Sequence, residues 1–346
     1  MKRIILAIFG IIVLVLIPVL GAVSAAPSVS AVSECDVFAT AADAYLNAPT
    51  TVWNISEKDL CSNLLDSNQG NDPFILSIRK PEDYATGHVP RAINLSGATL
   101  FKEENLAKLP KDKKIIVYCY TGHTGSHTAA LLNLCGYDAS NLKWGIMGWT
   151  KDTSVAIKQF SSPTTCLPTE TTINQATTTY SLPTVDITSS TSELEIIRAA
   201  CDNYASNGFK NIKAGDLNKL ITDADPANDP VIVSVRKAED YAKGHIPGAF
   251  NISLKDIAKL ENLQKLNPDK KIVVYCYTGR TGSQATAILN ALGFDAVNLL
   301  WGISGWTTDP AVAPSRFNPD TSADYPFETG AGEEVPTAPS DSGTCG

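Results

Sequence analysis

Short apolar segments alternate with stretches of helical period along most of this chain, and the alternation occurs twice. In the first occurrence Phe74 to Ile78, Ala92 to Leu95, Ile115 to Tyr118 and Asn141 to Lys143 predict strands. Ser126 to Leu134 predicts a helix, with further helical stretches around Ser56 to Leu65 and Leu100 to Lys108. Strands that alternate with helices imply an α/β fold, with a mainly parallel central sheet and helices on both faces. Such sheets receive ligands at the carboxyl ends of their strands, so the residues after Tyr118 are the first place to look for chemistry.

Sliding the chain against itself by 157 residues gives a gapless match from Asn54-Ile55 on Asn211-Ile212 to Gly148-Trp149-Thr150 on Gly305-Trp306-Thr307. Landmarks recur at fixed offsets: Asn71-Asp72-Pro73 with Asn228-Asp229-Pro230, Arg79 with Arg236, and Gly87-His88-Val89-Pro90 with Gly244-His245-Ile246-Pro247. A period this long marks a duplicated domain, each copy of a size to close a core alone. Ala41 to Tyr45 resembles Ala199 to Tyr204, which predicts a leading helix in each copy. Pro168-Thr169-Glu170-Thr171 resembles Pro326-Phe327-Glu328-Thr329, which predicts a segment after each domain that docks on that same domain. The expected boundaries are 36–171 and 193–329 for the two domains. The Thr/Ser/Pro-rich stretch 172–192 reads as an exposed linker, and 330–346 as a flexible tail.

The N-terminus changes the expected setting. Lys2-Arg3, an apolar stretch from Ile4 to Leu20 and then Val23-Ser24-Ala25-Ala26 match a secretory signal, with cleavage expected after Ala25. The destination would be the periplasm or the exterior. The apolar stretch is long for a signal, so an uncleaved membrane anchor is the alternative. With 44% hydrophobic and 18% charged residues, the 346-residue chain suits two ordinary folded domains. Removal of Lys2 and Arg3 moves the formal charge from −8 to −10. That balance argues against nucleic acid as a partner. In an oxidising compartment the eight cysteines must be sorted into reactive thiols and disulfide partners. Cys35, Cys61, Cys135, Cys166, Cys201 and Cys345 fall at positions that the repeat does not share, and their connectivity is unreadable.

Cys119 and Cys276 are shared. Cys119-Tyr120-Thr121-Gly122-His123-Thr124-Gly125-Ser126 returns as Cys276-Tyr277-Thr278-Gly279-Arg280-Thr281-Gly282-Ser283, each time between a predicted strand and a predicted helix. Backbone N–H groups and the positive helix end converge at such a place, favouring a thiolate and holding an anion. The glycines let the amides turn inward, and Thr124, Thr281, Ser126 and Ser283 offer hydroxyl donors. A free cysteine at a strand end is usually a buried apolar thiol. Duplication inside a glycine loop instead marks both as nucleophiles. Arg280 is a permanent cation beside the second loop, whereas His123 is charged only when protonated, so Cys276 is the stronger candidate.

Other chemistry-bearing residues read as structural. Cys119, His123 and His127 are spaced four apart, but a metal site would need a helical loop, and the second copy has Arg280 and Gln284 instead. Arg79 and Arg236 are each followed by acids (Glu82 and Asp83, Glu239 and Asp240), which predicts ion pairs. His88 and His245 sit in turns and are expected to bond backbone. Trp144, Trp149, Trp301 and Trp306 are expected to cap the core near the loop.

Val231 to Arg236, Glu239-Asp240-Tyr241, Gly244 to Ala249, Val274-Tyr275-Cys276 with its glycine loop, and Trp301-Gly302-Ile303-Ser304-Gly305-Trp306 resemble a rhodanese domain, as do their counterparts in the first copy. The resemblance covers most of the chain apart from signal, linker and tail. It implies two tandem domains that transfer sulfane sulfur from a thiosulfate- or persulfide-type donor, through a cysteine persulfide, to a thiol or cyanide-like acceptor. No metal or organic cofactor is implied. Related phosphatase domains use Cys-x5-Arg to clamp phosphate, but Gly125 and Gly282 stand where that arginine would be. Two departures matter. Ser77-Ile78-Arg79 and Ser234-Val235-Arg236 replace the family's Asp-Val-Arg. Asp83 and Asp240 stand where some thiosulfate-specific members carry a cation, which puts thiosulfate as donor in question. The alternative function is a non-catalytic carrier module that holds sulfur or another chalcogen for an envelope redox protein.

Overall fold

The computed structural model describes residues 33–161, 163 and 166–331. The signal segment, Cys345 and nearly all of the tail lie outside the described residues, and among those described no helix is long and apolar enough to cross a membrane.

Each repeat forms a five-stranded parallel sheet. In the first, β1 (Asn54–Ile55), β2 (Phe74–Ser77), β3 (Ala92–Asn94), β4 (Ile115–Tyr118) and β5 (Ala139–Leu142) lie in the order β1-β5-β4-β2-β3. The second repeats this order with β6 (Asn211–Ile212), β7 (Val231–Ser234), β8 (Phe250–Asn251), β9 (Ile272–Tyr275) and β10 (Ala296–Leu299). The expected strands are present, and β1 is added at the edge. It is two residues long, too short to leave a periodic signal. β4 and β9 are central and buried along their whole length, which is why they read as unbroken apolar runs.

Alternation along these strands divides the core. Ile116 and Tyr118 face an outer cluster belonging to the first repeat, and Val273 and Tyr275 face one belonging to the second. Ile115, Val117, Ile272 and Val274 all face one common cluster between the two sheets. The expectation that each copy closes a core alone is therefore corrected: the inner face of each sheet is covered jointly.

Four helices fill this shared layer: the leading helices α1 (Glu34–Asn47) and α3 (Glu193–Ser206), and the loop helices α2 (His123–Leu134) and α4 (Arg280–Ala291). The loop helices pack directly on each other. Each begins three residues earlier than its sequence pattern suggests, because Gly122 and Gly279 take left-handed φ of 83° and 87° and turn the chain at once into the helix. The leading helices reach across. Asn47 Nδ2 donates to Lys255 O at 2.9 Å. Lys102 Nζ lies 2.7 Å from Asp202, and Tyr204 Oη is 3.2 Å from His127 Nδ1.

The docking segments are exchanged as well, which corrects the expectation that each docks on its own domain. Trp306 Nε1 donates to Pro168 O at 2.7 Å, and His245 and Glu170 exchange two backbone bonds at 2.9 Å. Reciprocally, Trp149 Nε1 donates to Pro326 O at 2.8 Å, while His88 and Glu328 exchange bonds at 2.8 and 2.9 Å. The stretch 172–192 is extended but pinned, with Tyr180 N on Gln264 O at 2.8 Å and Ile187 N and Thr188 N on the Glu34 carboxylate at 2.9 and 3.0 Å.

Arg79 and Arg236 are buried and donate to backbone carbonyls: Arg79 to Gly87, Asp83 and Val155, and Arg236 to Gly244 and Val312. The expected ion pairs are replaced by carbonyls that have no other way to be satisfied in that interior. His88 and His245 bond the carbonyls of Tyr84 and Tyr241 at 3.0 and 2.8 Å, in line with their turn context. Trp149 and Trp306 cap the outer cores, whereas Trp144 and Trp301 belong to the contact between repeats.

Removing residues 324–346, the trailing end of the second repeat, is expected to destabilise the first. The deletion strips the partners of Trp149 Nε1, His88 N and the Glu328 bonds, a loss of about 3–5 kcal/mol. Amide hydrogen exchange would report it as lost protection around His88 and Trp149, with the His245 region unaffected. Loss confined to the second domain would contradict the exchange.

Candidate active site at the contact between repeats

β4 and β9 each end in a cysteine, Cys119 and Cys276, with only 1% and 2% of their surfaces exposed. Cys119 Sγ accepts from Gly122 N at 3.2 Å, and Cys276 Sγ from Gly279 N at 3.1 Å. Both sulfurs lie at the N-terminal end of a twelve-residue helix, where unsatisfied N–H groups and the helix dipole favour negative charge. The loop is held from beneath: Ile146 N and Ile303 N donate to the carbonyls of Cys119 and Cys276 at 3.0 and 2.9 Å. This close approach requires Gly145 and Gly302, where an added Cβ would stand 2.5 and 2.4 Å from those same carbonyls.

Because the loop helices pack together, the fourth residue after each cysteine enters the other repeat. His123 Nε2 is 3.2 Å from both Thr278 O and Trp301 N, and its Nδ1 is 2.9 Å from Thr121 Oγ1. Burial, reinforced by the neighbouring Arg280 charge, holds the His123 pKa well below its usual value, so the ring is neutral at physiological pH. His127 is stacked on Phe209 and held by burial at about 3. Cys119, His123 and His127 therefore diverge into separate contacts, and among the described residues no three His, Cys, Asp or Glu side chains gather as a metal group.

Arg280 shares a cavity with Cys276 and is also buried against the first repeat. It is 2% exposed, donates through Nε to Lys143 O and through Nη1 to Thr278 O at 3.0 Å, and lies 3.3 Å from the Trp144 ring centroid. Burial lowers its pKa to about 9 against the pull of Cys276, Glu57 and Cys119, which leaves it charged at neutral pH. Glu57, whose own pKa burial raises, accepts from Trp144 N at 2.5 Å. Arg280 Nη2 is buried and has no hydrogen-bond partner among the described residues. A desolvated guanidinium nitrogen left open in this way is suited to an anionic ligand.

A cavity of about 320 Å³ opens onto Cys276, lined by Lys143 and Trp144 of the first repeat and by Cys276, Arg280, Thr281 and Arg316 of the second. The positions related by the 157-residue period to Lys143 and Arg316 are Leu300 and Gln159, and the cation beside the Cys119 loop is Lys158, whose Nζ lies 4.1 Å from the Tyr120 ring centroid. The other loop residues are spent on the loop itself. Tyr120 donates to Asp83 and Tyr277 to Asp240, the latter at 2.6 Å, which gives these two acids a structural task. Ser283 Oγ donates to Gly279 O at 2.8 Å rather than to a sulfur, and Ser126 Oγ accepts from Gln284 Nε2 at 3.4 Å. Gly125 and Gly282 pack under Asn141 and Asn298, and Thr124 opens α2 beside the first loop. Sequence reasoning missed Glu57, Lys143, Trp144 and Arg316 as site residues. The unmatched pair Lys143 and Leu300, next to the shared Trp-Gly, was the available signal.

The buried neutral rings make the contact between repeats acid-labile. The unfolded chain binds protons on His123 and His127 from about pH 6.5 downward, while the folded chain does not until far lower, so stability falls as pH drops through that window. Between pH 7 and 5 each ring should cost about 2 kcal/mol. In urea titrations the variant His123→Gln with His127→Gln is expected to lose about 4 kcal/mol less than the parent over that drop. Equal losses would refute the neutral buried rings.

The rhodanese-like domain model matches residues 59–152 and 213–309. The putative sulfur carrier protein YrkF of Bacillus subtilis is 36% identical over 105 residues, 30% of this chain and 56% of its own length. Thiosulfate sulfurtransferase GlpE of Shewanella oneidensis is 32% identical over 101 residues, 29% of this chain and 94% of that protein. The chain spans just over half of the Bacillus protein and 21% of a tRNA sulfurtransferase from Pyrobaculum aerophilum, to which it is 32% identical. Among solved structures, a rhodanese-like domain protein from Staphylococcus aureus is 30% identical, with a TM-score of 0.27 and coverage of 29% of this chain and 94% of that one. With more than half of its length matched in two copies, the chain belongs to the rhodanese-like domain family.

Proposed function

We propose that this chain is an exported sulfurtransferase in which Cys276 carries sulfane sulfur as a persulfide. The observation that carries the reading is Cys276 Sγ on Gly279 N at 3.1 Å, at a cavity that Arg280 and Lys143 also line. The Cys276 thiolate attacks the outer sulfur of an anionic donor. The donor's S–S bond breaks and its remainder leaves with the electron pair, as sulfite when the donor is thiosulfate. The persulfide's terminal sulfur carries the negative charge and takes hydrogen bonds from loop amides between Tyr277 and Gly282. A thiolate or cyanide then attacks that sulfur and the Cys276 thiolate is restored. Arg280 acts here as a buried counter-charge that lowers the cost of placing an anion in a desolvated site. Export rests on the N-terminal signal pattern, and sequencing of the mature N-terminus tests it.

Cys119 has the same loop but a neutral His123, with Leu300 and Gln159 where Cys276 has Lys143 and Arg316. That contrast favours a second reading for the first repeat alone, as a site that holds sulfur and turns over slowly. A carrier would load stoichiometrically without multiple turnover.

Cys276→Ser is expected to remove most of the cyanolysable sulfur and to lower turnover with thiosulfate and cyanide by about 100-fold or more. Cys119→Ser should lower turnover by less than about twofold, and mass spectrometry of the freshly purified protein should find added sulfur mainly on Cys276. A double variant that still transferred sulfur at the parent rate would overturn the mechanism.

A further inference from the structure

Cys135 and Cys201 are used by none of the chemistry above, and both bond one backbone carbonyl, that of Leu131. Cys135 ends α2, and its N–H donates to Leu131 O at 3.0 Å. Cys201 lies on α3, and its Sγ donates to the same carbonyl at 3.8 Å, with both thiols free and buried. Tyr204, one turn beyond Cys201, meets His127, two turns before Cys135, so two contacts fix the antiparallel register of α2 and α3 at this point. The sulfurs sit in the common core, with Cys135 3% and Cys201 0% exposed. When the two leading helices are aligned on Tyr45 and Tyr204, Ala42 takes the place of Cys201, and Leu292 takes that of Cys135. The symmetry-related contact is therefore apolar, and this half alone carries two sulfurs. Among the described residues no other unshared thiol bonds the Leu131 carbonyl, although Cys35 belongs to the same core cluster. Cys61 is in the outer core of the first repeat, Cys166 is exposed on Thr308, and Cys35 lies at the start of α1.

We infer that Cys135 and Cys201 are a disulfide-forming pair that staples the loop helix of the first repeat to the leading helix of the second. The oxidant is a low-molecular-weight disulfide of the glutathione type. One thiolate of the pair attacks it and expels one thiol. The second cysteine attacks the mixed disulfide and expels the other, so the pair gives up two protons and two electrons to the reduced oxidant. Burial, followed by the Cys135 neighbour, raises the Cys201 thiol pKa well above its ordinary value. The exchange therefore takes place as the chain folds, before the helices close over the sulfurs, and the finished bond is shielded from thiol reductants. The bridge closes the stretch from 135 to 201, which includes both the first docking segment and the linker, and so limits the unfolded chain strongly. It also holds α2, and with it the Cys119 loop, against the second repeat. The inference is independent of sulfur transfer.

The test is to refold the full chain from denaturant with either oxidised glutathione or excess reductant, trap thiols by alkylation under denaturing conditions, and map peptides by mass spectrometry. The oxidised sample should give a Cys135–Cys201 linked peptide in most molecules, with Cys119 and Cys276 alkylated, and a Tm about 5 °C above that of the reduced sample. Cys201→Ala should abolish both the linked peptide and the oxidant-dependent Tm difference. If that variant does not fold, the peptide map of the parent chain decides alone. Alkylation of both cysteines in the folded, oxidised chain, or linkage of Cys201 to another cysteine, would overturn the inference.

Discussion

The packing of the two loop helices on each other governs the rest of the molecule. α2 and α4 start at the two cysteine loops, so their contact brings both loops to one seam and drives His123 and Arg280 across it. Neither side chain tolerates that position alone. A guanidinium taken out of water costs several kcal/mol unless carbonyls, a ring face and counter-charges receive it, and Lys143 O, Thr278 O, Trp144 and Glu57 supply them. The imidazole enters by giving up its charge. Each loop is thus completed by the other repeat, and the inner faces of both sheets are closed by the same cluster of side chains.

The exchanged segments follow from the same arrangement. With the inner faces turned together, the leading helices lie in the shared layer and each reaches the opposite loop helix, while the trailing segments close the outer faces of the opposite repeat. Two domains of one type therefore behave as one body, and a change in the tail of one is felt in the other.

Sequence patterning revealed what depends on local period and missed what depends on which copy a segment touches. β4 and β9 announced themselves through unbroken apolar residues, and the cysteine loops through their duplication. The docking segments were visible as repeats, but His88 and His245, or Trp149 and Trp306, are chemically the same receptor, so no residue distinguishes docking at home from docking across. The burial of Arg280 was unreadable for a related reason: the groups that cover a cation after the glycine loop lie in the other repeat. The one-sided Lys143 lay outside the cysteine motif, and only the folded seam brings it to Cys276.

The duplication is symmetric in fold and asymmetric in charge. Cys276 faces Lys143, Arg280 and Arg316, whereas the period-related residues are Leu300, His123 and Gln159, with Lys158 beside the Cys119 loop. A site for an anionic sulfur donor that draws a cation from the other repeat can be tested at that cation. Lys143→Leu installs the residue found at the matching position of the second repeat, leaves both cysteines in place, and can be followed by steady-state transfer from thiosulfate. A composite site requires KM for the donor to rise by about 3–10-fold with kcat nearly unchanged. An unaltered KM would contradict it.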